Sequence, residues 1–242
     1  MIFQDPMTAF NPVFTIGDQI AEAMLVHDLA TKAEARTRVI ELLELVGVPS
    51  PKQRADQYPH EYSGGMRQRA MIAMAIANTP DLMIADEPTT ALDVTIQAQV
   101  MEVLADIQRE VGAALILITH DLGVVAGVAD RVNVMYGGKV FEKAETRKLF
   151  YSSKNPYTRG LLESLPRLDA EEGARLVPIP GSPPSLMAMP AGCAFAPRCT
   201  HKVDICAERS AELIDIGLDH QTRCHLAHDL PAWEPDRAET PA

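Results

Sequence analysis

The run Leu82-Met83-Ile84-Ala85-Asp86-Glu87 constrains the fold more than any other part of the chain. Its apolar part is too short for a helix and reads as a strand buried on both faces. Two carboxylates at its end put paired acids at the carboxyl edge of a sheet, where α/β proteins place ligands. Taken alone, the run also fits two acids at a strand end facing solvent.

Its surroundings repeat the same grammar. Leu115-Ile116-Leu117-Ile118 reads as a second buried strand. Val132 to Tyr136 reads as a third, turned at Gly137-Gly138 into Lys139-Val140-Phe141. Between and before them, Thr15 to Asp28, Lys32 to Val46, Gly64 to Asn78 and Thr95 to Val111 carry apolar residues at helical spacing. Strands alternating with helices predict an α/β fold with a largely parallel sheet. A 47% hydrophobic chain of 242 residues has the material for such a core. A net charge of −11 argues against nonspecific nucleic-acid binding as the main activity.

Tyr62-Ser63-Gly64-Gly65-Met66-Arg67-Gln68-Arg69 is a Ser-Gly-Gly turn opening a helix. Glycines allow close backbone approach to a phosphate, and the helix N-terminus favours negative charge. An ordinary N-cap fits the same residues. Ala91-Leu92-Asp93 follows Glu87, and Thr119-His120-Asp121 ends the next apolar run. A His there can bond a terminal phosphate from the same sheet edge as Asp86 and Glu87, or serve a structural role.

In order and spacing, Gln4, Ser63-Gly64-Gly65, Asp86-Glu87, Asp93 and His120 resemble the Q-loop, signature motif, Walker B, D-loop and H-loop of the ATP-binding cassette (ABC) family. The resemblance covers residues 1 to about 165. The segments Phe3 to Pro12, Asn155 to Leu162, Ile179 to Leu186 and Pro190 to Cys199 resemble the ATPase subunits of peptide and nickel importers. Tyr62, Met66, Ala144 and Asn155 depart from the usual residues.

The resemblance implies a P-loop NTPase-like domain over residues 1–165 with a helical signature subdomain, and an importer-type extension over 166–242. It implies ATP and Mg²⁺ as ligands. Asp86 would hold the metal, Glu87 would act as base or position the water, and His120 would contact the terminal phosphate. Gln4, Ser63, Gly64, Gly65, Gln68 and Asp93 would contact nucleotide, the signature residues across a dimer. Partners would be a second ATPase subunit, two transmembrane permeases and, indirectly, a solute-binding protein. The site of action would be the cytoplasmic face of the membrane, as a peripheral subunit. A non-transport ABC ATPase, or a noncatalytic partner completing another subunit's site, would share the ATP motifs.

Cys193, Cys199, Cys206 and Cys224 stand after a Pro-rich stretch of Pro178, Pro180, Pro183 and Pro184. Their spacing, Cys-x5-Cys-x6-Cys-x17-Cys, fits none of the common zinc patterns built on Cys-x2-Cys. It resembles the importer extension, where four cysteines ligate an iron–sulfur cluster. A [4Fe–4S] cluster is the expectation, with zinc or unligated thiols as alternatives and His201, His220, His225 and His228 as further zinc donors.

The family's P-loop, Gly-x4-Gly-Lys-Ser/Thr, occurs nowhere in the 242 residues. The expectation is a truncated reading frame or a start called late, with a natural P-loop-less subunit as the alternative, and a sheet that would expose apolar edges.

Overall fold

The computed structural model describes residues 1–90, 93–165, 178–231 and 233. It divides into two compact units, Met1–His120 and Asp121–Ala242.

In the first unit, α1 (Ile16–Leu25) starts where the Thr15 hydroxyl accepts from the Asp18 N–H. Helix α2 (Lys32–Leu45) starts at a capping box between Thr31 and Glu34. It ends at Gly47, whose φ of +73° favours glycine. Short α3 (Pro51–Arg54) leads to α4 (Gly64–Ile76), and α1, α2 and α4 pack together over Ile16, Ile20, Leu42, Leu43, Met71 and Ile72. Tyr62 is buried and donates to the Arg54 carbonyl, so the unusual residue before Ser63 closes this bundle.

Strand β1 (Leu82–Asp86), helix α5 (Val94–Val111) and strand β2 (Ala114–Ile118) follow, with β1 and β2 parallel and Asp86 paired with Ile118. On its other edge β1 receives Ile2 in a parallel bridge: the Ile2 N–H donates to Ile84 O at 2.7 Å, and Asp86 N–H donates to Ile2 O at 2.9 Å. Neither strand is buried on both faces, contrary to the sequence reading. Met83 and Ala85 are buried, but Leu82, Ile116 and Ile118 are exposed. Among the described residues this sheet has two strands.

The second unit contains α6 (Leu122–Val128), β3 (Arg131–Tyr136), β4 (Lys139–Glu145), α7 (Thr146–Ser152), α8 (Pro156–Glu163), α9 (Ile205–Glu208), β5 (Ile214–Asp215) and β6 (Gln221–Thr222). Gly137 and Gly138, with φ of +55° and +76°, make the two-residue hairpin turn between β3 and β4. The four strands form an antiparallel sheet in the order β3-β4-β6-β5. The expected mainly parallel sheet is therefore corrected: the larger sheet is antiparallel, because a tight hairpin cannot join parallel strands. Pairing of β4 with β6 also explains why compact packing divides the chain after His120. Ala144 is fully buried with Val132, Val134 and Leu149, where its small side chain fits. The Pro-rich stretch is docked rather than loose, since the Arg198 guanidinium donates to Pro180 O and Ile179 O.

Candidate functional site

Topology assembles the first site. The Ile2 bridge, β1 and β2 run parallel, so the residues just past their carboxyl ends meet at one edge: Gln4, Asp86-Glu87 and His120. Gln4 Nε2 donates to Glu87 Oε2 at 2.9 Å, and His120 Nδ1 stands 3.4 Å from Glu87 Oε1. The His120 ring is 76% exposed, whereas the Glu87 side chain is 28% exposed.

Glu87 is the most constrained residue of this edge. Its φ of +45° is a left-handed conformation that non-glycine residues seldom adopt, and such outliers concentrate at functional sites. Its N–H donates to Ile118 O at 2.8 Å, and its Oε2 also accepts from Thr90 Oγ1 at 2.7 Å. The Thr90 hydroxyl, then His120 and Gln4, hold the Glu87 carboxyl below the usual carboxylate range, so it is ionised at neutral pH. Asp86 is half-buried, and among the described residues none bonds its carboxylate. A carboxylate so placed fits Mg²⁺, which takes one or two protein oxygens and completes its shell with water and phosphate.

The signature segment lies on a different element. Ser63 caps α4, its Oγ accepting from Met66 N–H at 3.3 Å. A Cβ at Gly64 would meet nothing within 4 Å, and Gly64 lacks the positive φ that would demand glycine. Gly64 is the first residue of α4, and neither its backbone conformation nor its packing demands glycine there, so folding alone does not account for it. At Gly65 a Cβ would touch Ile96 of α5 at 3.3 Å, which sets the start of α4 beside the helix capped by Asp93. Gln68, expected among the nucleotide contacts, is 1% exposed and lies on the inner face of α4 with Met71 and Ile72. Its spacing to Met71 and Ile72 was the available signal.

The second site lies in the second unit. Cys193, Cys199, Cys206 and Cys224 line one pocket, walled by Phe141 and Phe195 among others. Gly192 permits the closest approach, because a Cβ there would stand 2.2 Å from the Cys206 carbonyl oxygen. Cys193 N–H donates to that same oxygen at 2.8 Å. Burial pushes the Cys224 thiol up to about 11 and also raises those of Cys193 and Cys199. Backbone N–H groups oppose it: Leu226 toward Cys224 at 3.4 Å, Phe195 and Ala196 toward Cys193, and His201 toward Cys199. Desolvation is the larger influence at these three sulfurs and favours the neutral thiol. Among the described residues, no three His, Cys, Asp or Glu side chains are placed to hold a metal ion. The structure thus shows four thiols around one pocket, not a closed ligand sphere. His220 is committed elsewhere, its Nε2 lying 2.8 Å from Glu142 Oε1, and His225 Nε2 bonds Arg209 O at 2.9 Å.

Sequence reasoning missed the hub beside this pocket. Buried Glu142 also accepts from Ser153 Oγ and Lys154 N–H. Asn155 donates to Phe141 O, Thr222 Oγ1 and Arg223 O while capping α8.

This strand-edge chemistry, with a Ser-Gly-Gly helix start on a separate element, defines an ABC-type nucleotide-binding domain, and residues 1–90 match the ABC transporter family model. Residues 141–206 match the model of the oligopeptide/dipeptide transporter C-terminal region. The chain belongs to the ATP-binding proteins of peptide ABC transporters. It is 58% identical over 240 residues to the dipeptide transport ATP-binding protein DppD of Bacillus subtilis, covering 99% of this chain and 69% of that one. It is 56% identical to the oligopeptide transport ATP-binding protein OppD of Mycobacterium tuberculosis, covering 92% of this chain and 37% of that one. The chain therefore spans only part of the length of these relatives.

Two solved structures share the fold. A dimeric ATP-binding cassette in a post-hydrolysis state, bound to ADP and Pi, matches with a TM-score of 0.52 at 27% identity over 60% of this chain and 62% of that one. A component of an ABC transporter complex from Clostridium perfringens matches with a TM-score of 0.54 at 29% identity over 62% of this chain and 57% of that one.

Proposed function

We propose that this chain is the hydrolytic part of an ATPase subunit that energises import of peptides across the cytoplasmic membrane. The observation that carries the chemistry is the meeting of Gln4, Asp86, Glu87 and His120 at one sheet edge, with Glu87 held ionised. In hydrolysis a water oxygen forms a bond to the terminal phosphorus of ATP. Glu87 takes the water proton, and the bond to ADP breaks with its electron pair leaving on ADP. His120 would donate to the terminal phosphate, and Gln4 would report nucleotide to the membrane subunits. Asp86 would hold Mg²⁺, which neutralises phosphate charge when bound.

The 242 residues contain no Gly-x4-Gly-Lys-Ser/Thr string, and in this reading the main phosphate cradle would be supplied by other residues. Ser63, Gly64, Gly65 and Asp93 would act across a dimer on nucleotide held by a second ATP-binding subunit. The open space at Gly64 supports that reading. Two permeases and a peptide-binding protein would complete the transporter. No helix among the described residues is long and apolar enough to cross a membrane, and attachment would be peripheral, through the permeases.

In the extension, assigned to 166–242 with the ATPase part at 1–165, Cys193, Cys199, Cys206 and Cys224 would ligate a [4Fe–4S] cluster of structural role. Their shared pocket supports this. The match over 141–206 favours transport over a non-transport ABC ATPase. The test is ATP-driven uptake of a labelled dipeptide by the native complex in proteoliposomes. Uptake that Glu87→Gln abolishes is expected; ATP hydrolysis with no peptide uptake would refute the transport reading.

A further inference from the structure

The Glu87 carboxylate must keep one orientation while Gln4, one of its two Oε2 donors, answers to nucleotide. The other Oε2 donor comes from its own loop. Thr90 Oγ1 donates at 2.7 Å, and Thr90 N–H donates to Glu87 O at 3.1 Å. Thr90 thus latches both the main chain and the side chain of Glu87 in one four-residue turn, stiffened by Pro88. With Oε2 engaged this way, Oε1 is the oxygen that faces His120.

We propose that Thr90 is a positioning residue for hydrolysis, whose hydroxyl keeps Oε1 of Glu87 aimed at the attacking water when Gln4 leaves Oε2. This rests on the reading of Glu87 as the base.

The test compares Thr90→Val, Thr90→Ala and Thr90→Ser with Glu87→Gln in the native transporter complex, reading kcat and KM for ATP. Thr90→Val and Thr90→Ala should lower kcat by about 10- to 100-fold, the effect of a misplaced reacting group, with KM within about twofold. Thr90→Ser should recover most of the loss, because it restores the hydroxyl. A Thr90→Ala kcat within about twofold of wild type overturns the proposal, as does Thr90→Ser as slow as Thr90→Ala. If Thr90→Val does not assemble, the Ala and Ser pair decides. Near-normal turnover in Glu87→Gln overturns instead the underlying assignment of the base; slow Glu87→Gln beside normal Thr90 variants overturns only the latch.

Discussion

Replacing Asn155 by alanine should destabilise the second unit by about 2–3 kcal/mol. Asn155 Oδ1 accepts from Tyr157 N–H at 3.0 Å as the N-cap of α8, and losing such a cap costs about 1 kcal/mol. Its Nδ2 donates to Phe141 O at 3.0 Å and to Thr222 Oγ1 and Arg223 O at 3.3 Å each. Phe141 O keeps the Arg223 N–H at 2.7 Å, so it is not orphaned, and the net loss from these bonds is about 1–2 kcal/mol. The assay is urea unfolding followed by Trp233, the one tryptophan, which lies in the same unit two residues from the Arg159-bonded Pro231 carbonyl. With a slope of about 2 kcal/mol/M, the midpoint should fall by about 1–1.5 M. Asn155→Asp keeps the cap but turns an acceptor toward the same oxygens, and should be no more stable than Asn155→Ala. A loss below about 0.5 kcal/mol in Asn155→Ala, as at an ordinary surface site, would refute the hub.

Glu87→Gln in the native complex should retain ATP binding but slow hydrolysis by about 10²- to 10⁴-fold; near-normal turnover would remove Glu87 from the role of base. Gly64→Ala should leave stability within about 0.5 kcal/mol of wild type while blocking ATP-driven dimer closure, read by ATP-dependent association. Anaerobic purification should give a brown protein containing iron and sulfide, and each Cys→Ser replacement at 193, 199, 206 or 224 should remove the colour. Stoichiometric zinc without iron would assign the pocket to zinc instead.

The sheet edge was legible because each part of it is local. Asp86-Glu87 and His120 directly follow apolar runs, and the glycine pair after Ser63 marks a helix start. What the sequence hid depends on pairing at a distance. Strand β6 has two residues, too short for any periodicity, yet it brings Thr222 and His220 to β4 and Asn155. Ile116 and Ile118 are exposed although they stand in an apolar run, because such a run does not report which neighbours a strand acquires. Thr90 reads as one more turn residue until its hydroxyl is seen on Glu87.

The central claim is that these 242 residues carry the hydrolytic groups but not the phosphate cradle. The direct measurement is Mg²⁺-ATP binding and turnover by the purified 242-residue polypeptide, alone and mixed with a P-loop-bearing ABC ATPase subunit of the same transporter. Alone, it should neither bind ATP tightly nor hydrolyse it, because its sequence contains no Gly-x4-Gly-Lys-Ser/Thr string to supply the phosphate-binding amides and Lys. With the partner present, ATP-dependent association that requires Gly64 is expected. Sustained hydrolysis by the polypeptide alone, without a partner subunit, would contradict the account.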